Sequence, residues 1–190
     1  MTPSLFKRYW SERYACLPIG HHLRQSYESR WFRIHTLPES KRYAETESEY
    51  DEILRRYNAV LSDLLEEGQS YVLVTMSWSD SSEVAALQPE IETIIGTSEF
   101  LFNAQPEDDD DAAYAHFFMS KRVWKAGSLD QLLRMVADDE TESVLIVNTE
   151  QDRIYHPYDG GADVILAASD EVAAKKQQYA NWLSKHPLGL

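Results

Sequence analysis

The chain has 190 residues, with 18 Lys+Arg against 32 Asp+Glu and a formal net charge of -14, a balance that opposes counterion release from phosphates and excludes a generic nucleic-acid binder. Its single cysteine, Cys16, excludes an internal disulfide and a four-cysteine metal site, and no apolar run is long enough for a membrane-spanning helix. Residues 1–20 carry charges and aromatics throughout where a signal peptide needs an apolar core, so a soluble, unprocessed, cytoplasmic protein is expected.

Thr2-Pro3 is a cap followed by the residue best tolerated in a helix's first turn, and Leu5, Phe6, Tyr9, Trp10 and Arg13 follow at helical spacing. The spacing predicts a helix over 3–15, ended by Pro18 and Gly20. The RWFRIHT run at 30–36 is aromatic and β-branched and predicts the first strand. Thr46 and Glu49 form a capping box in front of Tyr50, Ile53, Leu54, Tyr57, Val60, Leu61 and Leu64, which recur every three or four residues. A long helix is expected there, stopped by Gly68.

The almost continuous apolar run at 71–76 predicts a central strand covered on both faces. Residues 78–113 are rich in Ser, Glu, Asp and Pro and predict loops with one or two short elements. Strand composition resumes at 114–124, and Ser128 with Gln131 reads as a second capping box opening a short helix. Three short strands near 144–147, 153–155 and 164–166, joined by polar and Gly-rich turns, predict an antiparallel meander. A last helix is expected from Ser169, with Val172, Tyr179, Trp182 and Leu183 as its buried side. The whole reads as a single α+β domain over 1–190, a mostly antiparallel sheet with packed helices; a subdivision near 105 is the alternative.

The stretches HHLRQSY at 21–27, RWFRIHTLPESKRY at 30–43 and EYDEILRRYN at 49–58, with RIYHPYDGGADVI at 153–165 and YANWL at 179–183, resemble bacterial domain-of-unknown-function family 3885. The resemblance covers roughly two thirds of the chain and leaves out the acidic middle. Where the family pattern often carries an Arg-Gly pair, this chain has Gly160-Gly161. The resemblance implies a bacterial, cytoplasmic protein and brings no catalytic residue, substrate or cofactor.

The histidines match no H-E-x-x-H zinc motif; His21 and His22 are expected to point apart in a strand or turn. His156, Asp159 and Asp163 flank the Gly-Gly turn and could converge an imidazole with two carboxylates, but an Asp before Gly-Gly more often closes the turn on its own backbone. No metal and no cofactor is expected. A nucleophile elbow, a Walker A loop, a G-x-G-x-x-G loop and a calcium loop are all missing, and Cys16 reads as a small core residue.

Charge distribution carries the strongest signal. Residues 1–45 hold eight Lys/Arg against four acids, while the 64 residues between Arg56 and Lys121 contain 13 acids and no Lys or Arg. The basic N-terminal segment either pairs with the acidic remainder inside the fold or leaves Arg24, Arg30, Arg33 and Arg42 to bind an anion. These residues point first to a non-enzymatic protein-binding module whose acidic run, Asp108, Asp109, Asp110 and Asp111, docks a basic protein partner such as a toxin. The alternative is a small-molecule- or anion-binding protein, or a hydrolase, with its site around Arg33, His35, His156 and Asp159.

Overall fold

A computed structural model of the chain describes residues 1–106, 113–141 and 143–184. Six helices and seven strands follow in the order α1 Pro3–Arg13, α2 Gly20–Ser26, β1 Trp31–His35, α3 Glu47–Leu64, β2 Ser70–Ser79, α4 Pro89–Ile95, β3 Glu99–Ala104, β4 Tyr114–Val123, α5 Asp130–Ala137, β5 Val144–Asn148, β6 Arg153–Tyr158, β7 Gly161–Ile165 and α6 Asp170–Gln178. All seven strands join one antiparallel sheet in the order β1-β7-β6-β5-β2-β4-β3. The fold is therefore α+β, with the C-terminal meander β5-β6-β7 at its heart. Strands β3 and β4, on either side of residue 105, are sheet neighbours.

Because side chains alternate along a strand, the sheet separates two cores. On one face Tyr71, Leu73, Ile146, Tyr155 and Val164 pack with α3, α4 and α5. On the other, Val72, Val74, Met76, Phe117, Val147, Ile154 and Ile165 are covered by Phe6, Trp10 and Tyr14 of the α1 region and by Leu23 of α2. The run at 71–76 is buried on both sides, as its apolar continuity requires.

Local chemistry sets the helix ends. The Thr2 hydroxyl accepts from the Leu5 amide at 3.4 Å. Thr46 accepts from the Glu49 amide at 3.3 Å, while the Glu49 carboxylate reaches back one residue beyond the cap to the Glu45 amide at 2.7 Å. Helix α3 ends at Leu64, and Gly68, at φ +83°, forms the turn that follows rather than the cap. Ser128 does not cap α5, which begins at Asp130; Asn58 of α3 ties that end instead, accepting from the Gly127 amide and donating to Asp130 at 2.7 Å. His21 and His22, expected in a strand or turn, sit in a helix, α2.

The C-terminal expectation needs a larger correction. Helix α6 stops at Gln178 with no buried residue of its own, and a 3-10 turn, Ala180–Trp182, follows. Tyr179 is the anchor: its ring stacks on Phe32 of β1, and its hydroxyl donates to Asp63 at 3.0 Å. Trp182 stacks on Tyr179 from outside and stays half-buried. Among the described residues no helix is long and apolar enough to cross a membrane. We expect Tyr179→Ala to cost about 3–5 kcal/mol and Trp182→Ala about 1–2 kcal/mol in denaturant unfolding. The reverse order would place the anchor at Trp182.

Candidate functional site

The site starts from the register of three strands. Arg33 of β1 pairs with Asp163 of β7, which pairs in turn with His156 of β6, so one polar row crosses the sheet. The row beneath it, Trp31, Ile165 and Ile154, belongs to the core under α1 and α2. The row above is His35, Gly161 and Tyr158.

Asp163 organises the polar row. Its carboxylate accepts from Arg33 Nε at 2.8 Å, from a second Arg33 nitrogen at 3.0 Å and from Trp31 Nε1 at 2.8 Å. The side chains of Arg33 and Asp163 are only 14% and 5% exposed, so the pair is nearly desolvated. Burial pulls the Arg33 pKa down, and the Asp163 hydrogen bonds and charge more than offset it. The Arg33 guanidinium also lies 4.8 Å from the centre of the Tyr158 ring. That ring occupies the space a side chain at 161 would need: a Cβ on Gly161 would come within 2.5 Å of the Tyr158 hydroxyl and 2.4 Å of the Ile34 carbonyl. Gly161 is therefore required by close approach, whereas Gly160 takes the left-handed turn conformation at φ +90°.

His156 Nδ1 faces Asp163 at 4.0 Å, too far for a hydrogen bond, and is buried without a partner. One face of its ring is covered by the α2 backbone, where a Cβ on Gly20 would come within 2.0 Å of the imidazole. Burial pushes the His156 pKa down to about 4 against the pull of Asp163, so the ring is neutral at pH 7.

A notch in the sheet makes room beside this row. The β5–β6 ladder stops at Ile146 and Tyr155, although β5 begins at Val144 and β6 continues to Tyr158. Pro157 has no N–H and suits a stretch of strand left unpaired on one side. The opening is a cavity of about 380 Å³ between α2, the ends of β2 and β6, and the α5–β5 link. Its apolar wall includes Ile19, Met76, Trp78 and Val136, and Arg24, Arg33, Asp139, His156, Tyr158 and Asp159 supply polar groups.

Three of the four residues of the expected alternative site, Arg33, His156 and Asp159, meet in this cavity. His35 does not line it. It sits in an adjoining recess of about 210 Å³ that shares Arg33, Tyr158 and Asp159, and burial and the Arg33 charge lower its pKa. Asp159 does not close the turn on its own backbone. It accepts from Arg42 and from the Tyr43 hydroxyl at 2.7 Å. Asp108, Asp109, Asp110 and Asp111 lie outside the described residues.

The basic N-terminal segment does pair with acids across the fold: Arg13 with Asp152, Arg33 with Asp163, Lys41 with Glu49 and Arg42 with Asp159. Arg30 donates to the Ala167 carbonyl and packs over Tyr27. Arg24 has no hydrogen-bond or ion-pair partner among the described residues, and it lines the cavity. Among the described residues no group of three His, Cys, Asp or Glu is placed to hold a metal ion. Sequence reasoning named Asp163 only as a turn carboxylate and overlooked Tyr158 and Asp139. The alternation Trp31, Arg33, His35 on one strand face was the available signal for a polar row entering the core.

One antiparallel sheet with helices packed on it makes this an α+β domain. The chain belongs to the family of domains of unknown function DUF3885, which matches residues 19–187 and so includes the acidic middle. No curated protein and no solved structure matches it.

Two outcomes test this geometry. Gly20→Ala should displace the His156 ring and cost about 1–3 kcal/mol, the usual penalty of overpacking, read by denaturant unfolding. An unperturbed His156 resonance would contradict the contact. The lowered His156 pKa also links folding to pH. A histidine depressed on folding contributes stability fully present above its unfolded pKa of about 6.5, and that stability is lost as pH falls toward 4. Wild type should therefore lose about 3 kcal/mol more than His156→Gln between those pH values. Parallel stability profiles would show that the imidazole is not desolvated.

Proposed function

We propose that this chain binds a small organic molecule with an anionic group in the notch between α2 and the β6–β7 turn. The observation that carries this reading is Arg24, a guanidinium on the wall of a 380 Å³ cavity with no acidic partner among the described residues. The neighbouring cation Arg33 is neutralised by Asp163, so it supports the wall and does not compete for the ligand. Cavities of this size take ligands of amino-acid to small-sugar size, with apolar walls for contact area and a few polar groups for orientation. The neutral His156 and the Tyr158 hydroxyl supply hydrogen bonds, and Trp78 and Met76 supply the apolar wall.

A second reading, docking of a basic protein, is favoured by a separate observation. Asp80, Glu83, Glu90, Glu92 and Glu99 are exposed without an ion pair among the described residues, near the exposed Val84 and Phe100. With Asp108 to Asp111 they lie in the 64-residue stretch that holds no Lys or Arg. On that reading a basic toxin or nuclease domain would be bound, and Asn at 108–111 would slow its association at low salt with little effect on dissociation. Equal association rates at every ionic strength would remove its support.

The cavity reading is tested by titrating the isotope-labelled full chain with a panel of small carboxylates and phosphates. Chemical-shift changes should centre on residues 19–24, 33, 76–78 and 156–159, and Arg24→Gln should weaken binding about tenfold or more. Shifts confined to the α4–β3 surface, or none at all, would contradict it.

A further inference from the structure

The charges on the cavity wall divide into those answered within the fold and those left open. Arg33 is answered by Asp163 and Asp159 by Arg42, each through hydrogen-bonded ion pairs. Of the lining carboxylates and guanidiniums, two remain without a hydrogen bond or ion pair among the described residues, Arg24 and Asp139, and they are of opposite sign. They come from different elements. Arg24 stands on α2, and its charge is felt at the Tyr158 hydroxyl; Asp139 follows α5, and its charge is felt at Arg42 and Tyr43. Both residues line the same cavity of about 380 Å³, a volume that takes a small organic molecule.

We infer that the ligand is a small zwitterion of amino-acid or dipeptide size, its carboxylate held by Arg24 and its ammonium by Asp139. This rests on reading the notch as a ligand site. Among the described residues these two open charges balance, so a multiply charged anion such as a nucleoside polyphosphate would leave Asp139 facing like charge, and a simple amine would leave Arg24 unanswered. A guanidinium presents a planar fork that matches a carboxylate with two parallel hydrogen bonds. The wall between the two charges is apolar, from Ile19, Met76, Trp78 and Val136, and suits an aliphatic or aromatic side chain. Neutral His156 adds no third charge to this balance.

The test compares leucine, phenylalanine and glycyl-leucine with their N-acetyl forms, which lack the ammonium, and with their amides, which lack the carboxylate. Binding to the full chain is read by calorimetry and by chemical shifts, with folding of each variant checked from its spectrum. At least one zwitterion should bind about tenfold more tightly than both of its blocked forms. Arg24→Gln should weaken the zwitterion about tenfold and Arg24→Lys less. Asp139→Asn should weaken the zwitterion and bring it to within about threefold of the N-acetyl form. If N-acetyl forms bind in the notch as tightly as their parents, and Asp139→Asn changes neither, the zwitterion is overturned while the notch stands as an anion site. If no zwitterion, carboxylate or phosphate shifts the notch residues, both readings fail together.

Discussion

The buried carboxylate of Asp163 is the constraint on which the site depends. It sits on β7, between β1 and β6, and accepts three hydrogen bonds from β1 alone, two from Arg33 and one from Trp31. Both charges are almost out of water, and a pair so placed is held by its geometry, because removal of either partner leaves an uncompensated buried charge. With Arg33 fixed, its guanidinium holds the Tyr158 ring against Gly161. With Asp163 fixed, His156 faces a carboxylate on one side and the α2 backbone on the other. Tyr158 and His156 are placed by this pair, and Arg24 stands on the cavity wall without an acidic partner among the described residues.

The polar row is tolerated because it lies where the sheet's covered face runs out. One row inward, Trp31, Ile154 and Ile165 are in the core that α1 and α2 seal. The family match begins at residue 19, so α1 precedes it, yet Phe6 and Trp10 are buried in that core. Tyr9 and Arg13 of α1 both bond Asp152 in the β5–β6 turn, which ties the helix to the far end of the meander from the notch. The cavity thus opens at one end of the meander, where the ladder stops before Pro157, while α1 closes the other.

Elements whose signal is local were legible in the sequence. The α3 capping box, the two-sided apolar run of β2 and the turn-punctuated meander are each specified within one continuous stretch of sequence, and each is present. The misses have non-local causes. Helix α2 is seven residues long and begins at a glycine, a residue that reads as a breaker until the His156 ring across the fold explains why nothing larger fits. The start of α5 is set by Asn58, about seventy positions upstream, and so Ser128 misled. For the site, residue types marked Arg33, His156 and Asp159 as worth watching. That Arg24, among four arginines named together, lines the cavity without an acidic partner among the described residues depends on strand register and long-range pairing. Neither is written in spacing.

The central claim is that Arg33 and Asp163 act as one unit in supporting the site, and a double-mutant cycle tests it most directly. Arg33→Met, Asp163→Leu and the double variant would be compared with wild type by denaturant unfolding, with the Tyr158 and His156 resonances as local reporters. The account predicts that each single change costs about 3–5 kcal/mol, that the double costs much less than their sum, and that the coupling reaches about 2–3 kcal/mol. Single costs that add to within about 0.5 kcal/mol, with both reporters unmoved, would contradict it.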